Sequence, residues 1–192
     1  KITAIALAKN DFKVCMIPNN DIKIDKHSSN LVTFLSNGSI NYLTGIIKDY
    51  KIFDQFESIN EIKCEIEKNT NSKGQSVNFK AQSDILGKVV ENSVLSGCLL
   101  DEIQKNQNIH ISGNSKIFKI NNTETGVKII LDNDEQISSK LLILTAVNDD
   151  QLLDNLKVDF IRHDFQQDAL SIIVRGMITD SNCANQRFTP DG

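Results

Sequence analysis

An α/β fold is what this sequence predicts, and three patterns carry that expectation. Residues 1–9, KITAIALAK, are good helix formers with small alanines, and Val14, Cys15, Met16 and Ile17 follow as a short apolar strand of the kind buried on both faces of a parallel sheet. Helix then strand is half of a βαβ unit. Residues 61–67 and 77–80 instead alternate apolar and polar side chains with a period of two, as half-exposed strands do. Between and after these, Val94, Leu95, Cys98, Leu99 and Ile103 fall on one stripe of a helix.

In chain order, Asn10 is placed to cap the first helix in a left-handed conformation. Apolar spacing over residues 28–43 and 46–56 is mainly helical, with Gly38 and Gly45 as breaks. The strands 61–67 and 77–80 are joined by a polar loop, 69–76. Asn92 or Ser93 is suited to cap the helix that carries the apolar stripe. Residues 108–111, 116–120 and 127–131 read as strands, the last two joined by a turn over 121–126, and 141–144 reads as a buried strand. Asp149 and Asp150 favour the start of a short helix, 151–156, because acids suit a helix N-terminus. In the last stretch Leu170, Ile172, Val174 and Ile178 share one side of an alternating strand. A polar turn, 179–182, follows, and Pro190, Asp191 and Gly192 form a second turn signal.

Composition sets the outer bounds. The 192 residues are 40% hydrophobic and 24% charged, enough for one ordinary domain or two small interleaved ones. The net charge of -4, with lysines scattered among acids, gives no basic footprint and argues against nucleic acid as a partner. No apolar run approaches the roughly 20 residues that span a bilayer, and the first residues lack the order of a secretion signal, so the chain reads as cytoplasmic. Cys15, Cys64, Cys98 and Cys183 are far apart, as are His27, His110 and His163, so a metal site is not expected and the thiols read as free and mostly buried.

Four stretches carry a resemblance. Phe165-Gln166-Gln167-Asp168-Ala169 and Ala184-Asn185-Gln186-Arg187-Phe188-Thr189-Pro190-Asp191-Gly192 resemble a Tyr-x-Gln-x-Ala strand and an Ala-x-Gln-Arg-Phe-x-Pro-x-Gly turn. Gly87-Lys88-Val89-Val90-Glu91-Asn92-Ser93-Val94-Leu95 resembles Gly-Tyr-x-Val-Glu-Asn-x-x-Leu, and Asp25 to Leu31 resembles Asp-x-Arg-Thr-x-Ala-Leu. All four are motifs of the flavin-dependent hydroxylases of ubiquinone biosynthesis, the 2-polyprenyl-6-methoxyphenol hydroxylase-like enzymes. The resemblance implies an incomplete Rossmann-like FAD-binding domain, residues 1–60 and 82–158, interleaved with strands of a substrate-domain sheet, residues 61–81 and 159–192. It implies FAD as cofactor, NAD(P)H as reductant, a polyprenyl phenol as substrate, contact at a membrane surface, and a further C-terminal half of the enzyme. His27, Glu91 and Asn92 are the cofactor-binding residues it suggests, and no catalytic residue is carried over.

The sequence also departs from that family. No G-x-G-x-x-G occurs, Pro18 stands where a Rossmann fold places the acid for the ribose, and His27 replaces an arginine. Val147 and Asn148 stand where the family has its second flavin motif. A non-catalytic remnant, or one part of a split hydroxylase unable to hold FAD alone, is therefore a competing expectation. A third is an interaction module that docks a partner through an unpaired strand edge near Arg187.

Overall fold

The computed structural model describes residues 1–18, 31–67, 74–82, 85–113, 115–145, 152–153, 156, 161, 163–174, 176 and 182–189. The first part of the chain gives α1 (Ile2–Lys9), β1 (Val14–Met16), β2 (Val32–Ser36), α2 (Asn37–Ile46), a 3-10 turn (Tyr50–Gln55), β3 (Ser58–Ile59), β4 (Glu61–Ile66) and β5 (Gln75–Lys80). Then follow β6 (Gly87–Glu91), α3 (Asn92–Gln104), β7 (Ile109–Ile111), β8 (Ile117–Thr123), β9 (Gly126–Leu131), β10 (Gln136–Ser139) and β11 (Cys183–Phe188). The mixture is α/β, as the sequence predicts.

Helix α1 buries Ala4, Ile5 and Ala8. Its end is not capped by a left-handed Asn10, which sits at φ -102° and donates its side-chain amide to Ala6 O at 2.9 Å. Asp11 takes the left-handed position instead, at φ 62°. Its N–H donates to Ala8 O at 3.2 Å, and Phe12 N–H donates to Leu7 O at 3.2 Å, which is the hydrogen-bond pair of a Schellman motif. The chain then turns into β1, which runs parallel to β7 with Val14 opposite Ile109 and Met16 opposite Ile111. Strand β1 is only half buried, and Cys15 is exposed, because β7 is its one partner among the described residues.

The core lies where three helices close over the inner faces of two sheets. Ile5, Ile40, Leu43, Ile46, Ile47, Phe53, Val90, Leu99 and Ile103 form it, with Met16, Leu35 and Ile109 packed against it. One of those sheets has the order β2-β6-β3, all antiparallel. Residues 32–36 are thus strand where the apolar spacing suggested helix, and the helix begins only after Ser36, whose hydroxyl accepts the N–H of Ser39 at 3.2 Å. Leu31, Val32, Phe34 and Leu35 fit either period, and pairing with β6 decides between them. Gly38 and Gly45 lie inside α2 and break nothing. Gly87 does have a steric role: a Cβ there would meet Leu35 O at 2.1 Å and the Phe34 ring at 2.6 Å. Only a glycine lets β2 come this close.

Strands β8, β9 and β10 form an antiparallel meander whose inner side buries Ile120, Ile129 and Leu131. The β8–β9 turn is only Glu124 and Thr125, tighter than the expected 121–126, and β10 has no counterpart in the sequence expectation. Residues 141–144 are not the expected buried strand: they pair with no described strand, and Leu141 and Ile143 are exposed. Leu152, Leu153 and Leu156 are helical, in keeping with the expected short helix.

The fourth sheet has the order β11-β4-β5, with β11 parallel and β5 antiparallel to β4. Only Asn60 separates β3 from β4, and its N–H bonds to Asn182 O at 2.8 Å, just before β11 begins. In the preceding segment, residues 170–174 are exposed and pair with no described strand, so the expected strand there is not formed within those residues. Met177, Ile178 and the turns at 179–181 and 190–192 lie outside the described residues. The thiols are free, as expected, but none is buried: Cys64, Cys98 and Cys183 are half-buried. Cys64 and Cys183 lie on short strands with few layers over them, and Cys98 lies on α3 but outside the set of side chains that fill the core.

Candidate functional site

In open α/β sheets ligands lie beyond the carboxyl ends of parallel strands, where helix N-termini converge. Here that region is the end of β1 and β7 together with the first turns of α1 and α3. Past β7, Ser112 is buried and ties the two strands together: its N–H reaches Met16 O at 2.9 Å and its hydroxyl the same oxygen at 3.3 Å. Pro18, two residues beyond β1, is half-buried and offers a carbonyl but neither N–H nor carboxylate.

The N-terminus of α1 meets α3 one turn into the latter, where the Lys1 ammonium donates to the hydroxyl of Ser96. Burial pushes that ammonium below its ordinary pKa. Four residues before Ser96, on the same side of α3, the side-chain amide oxygen of Asn92 accepts a hydrogen bond from the hydroxyl of Thr33 at 2.5 Å, and the backbone N–H of Asn92 donates to Leu31 O at 3.0 Å. Asn92 therefore knits β2 to α3. It is the first residue of the helix rather than its cap; Glu91 occupies the cap position and makes no side-chain capping bond. Ser93 is likewise inside the helix.

Glu91 lies at the end of β6 opposite Val32, and its side chain is exposed. By the register it shares the outer face of the sheet with Val32, Phe34 and Val89, whereas Val90, fully buried, points to the core. An exposed carboxylate thus lies beside a partly exposed apolar strip, with Ser36 farther along the same face opposite Gly87. His27 lies outside the described residues, as do Val147 and Asn148. Of the three suggested cofactor residues the structure thus brings Glu91 and Asn92 to one strand–helix junction. Thr33, Ser96 and Ser112 belong to the same region but have no motif that could have flagged them. Among the described residues no group of His, Cys, Asp and Glu could hold a metal ion, and no helix is long and apolar enough to cross a membrane.

The fold is that of flavin monooxygenases of known structure. PqsL, a probable FAD-dependent monooxygenase from Pseudomonas aeruginosa, matches over 85% of this chain and 44% of its own, with a TM-score of 0.64 and 10% identity. The same protein in complex with 2-aminobenzoylacetate gives a TM-score of 0.65 over the same shares, again at 10% identity. FqzB matches over 73% of this chain and 32% of its own, with a TM-score of 0.57 and 10% identity. No family model and no curated protein matches the sequence. The chain therefore spans less than half the length of these structural neighbours.

Among the described residues, Met16 to Pro18 at the end of β1 hold no acid for the ribose of FAD. The ribose of a dinucleotide in this fold takes its hydrogen bond from an acid at the end of the second strand, and Pro18 has none. The Asn92 side-chain oxygen is already engaged by Thr33, and the Lys1 ammonium by Ser96. What the junction can do on its own is hold β2, β6, α1 and α3 in register.

Proposed function

We propose that this chain is part of an FAD-dependent monooxygenase that hydroxylates a polyprenylated phenol in ubiquinone biosynthesis, and that these residues alone do not hold the flavin. The observation that carries the reading is the joint one: a monooxygenase-like fold over 85% of the chain, with Gly87 to Leu95 placed at the β6–α3 junction and Ala184 to Phe188 on β11. In this reading the flavin part comprises residues 1–60 and 82–158 and the substrate part 61–81 and 159–192. The reaction joins one oxygen atom of O2 to a ring carbon, replacing C–H by C–OH. The other atom leaves as water, with NAD(P)H supplying a hydride, that is two electrons and one proton, and the solvent supplying the second proton. Bound FAD supplies the oxygen chemistry, and the protein supplies position. A substrate with a polyprenyl tail places the work of the whole enzyme at a membrane surface in the cytoplasm.

Inability to hold FAD rests on the missing ribose acid. A hydrogen bond to a charged group is worth about 1.5 to 3 kcal/mol, and about 1.4 kcal/mol is tenfold in affinity. Loss of that bond alone therefore weakens binding by roughly tenfold to a hundredfold. Titrating purified chain into FAD and following flavin fluorescence tests this, with no saturation expected at low micromolar concentration. Saturable binding there would overturn it. A second reading, a non-catalytic remnant, is favoured by Pro18. The two part company in cells: loss of this chain should abolish ring hydroxylation in the first reading and leave it unchanged in the second.

A further inference from the structure

We draw no further inference here: the strongest candidate, the apolar face of the β11-β4-β5 sheet on which Ile66, Val77, Phe79 and Phe188 are exposed, carries none because nothing in the structure shows what covers it.

Discussion

Asp11 shows how one residue decides a helix end. It holds φ 62°, a conformation that costs an ordinary L-residue roughly 1–2 kcal/mol and aspartate somewhat less. Asp11→Gly should therefore stabilise the chain by about 0.5 kcal/mol, while Asn10→Gly, at φ -102°, should destabilise it by a similar amount. Thermal melts of the two variants should move in opposite directions by about 1–2 °C. The Asn10-Asp11 pair was legible as a helix end but not which member turns left-handed, since both residues tolerate that conformation and the choice is made by the hydrogen bonds to Leu7 and Ala8. At Cys15, desolvation first and the Glu135 carboxylate second push the thiol above its ordinary value of 9.0, and backbone hydrogen bonding at Ser112 opposes them. The folded chain thus disfavours the thiolate. The contribution of this thiol to stability is level below pH 9 and falls as pH rises beyond the ordinary thiol value, with Cys98 acting in the same direction and the lowered Lys1 ammonium in the opposite one. Alkylation of Cys15 followed against pH should show a midpoint above 9.0, and Glu135→Gln should lower that midpoint without restoring it fully.

At the scale of elements, legibility followed whether a pattern had one solution. The alternation of residues 61–66 has one, and β4 forms there. Residues 31–35 fit two periods, and the partner strand β6 chose. Strand β10 offers a single apolar residue, Ile137, and exists because β9 pairs with it. The Leu170 to Val174 pattern is strand-like, yet no described strand lies beside it, because alternation specifies a face and not a neighbour. Of the candidate site, the Glu91–Asn92 junction was legible from its motif, while Thr33 and Ser96 were not, since their role arises from contacts 59 and 95 residues apart. Two side chains hold elements in ways that can be measured. Ser36→Ala removes the cap of α2 and should cost about 1 kcal/mol, which Ser36→Asp should largely restore. Glu102 is buried and accepts Lys48 N–H at 3.0 Å just past the end of α2, so Glu102→Leu leaves that donor unpaired and should cost about 1–3 kcal/mol in urea unfolding.

For the whole molecule, the balance is between one well-covered core and one bare sheet. Ile5, Leu43 and Ile103 are almost wholly buried among three helices, whereas Val77 and Phe79 keep more than half of their surface in water. Removing methyls from the first group opens a cavity, and Ile103→Ala should cost about 2–5 kcal/mol. Removing apolar surface from the second group should cost almost nothing, because the chain alone gains little from side chains it does not cover. The doubly substituted Val77→Thr, Phe79→Thr chain keeps β-branched residues in β5 and with them the strand's conformational preference. It should unfold within about 0.5 kcal/mol of the parent, as surface changes usually do. Its binding of a hydrophobic dye and its tendency to associate in sedimentation should nevertheless fall by at least half, since Val77 and Phe79, on the edge strand β5 beside Cys64 and Ile62 of β4, are the most exposed apolar side chains of the apolar face. A variant that loses stability by several kcal/mol while dye binding stays unchanged would mean that this face is covered in solution, and that the chain's exposed surface lies elsewhere.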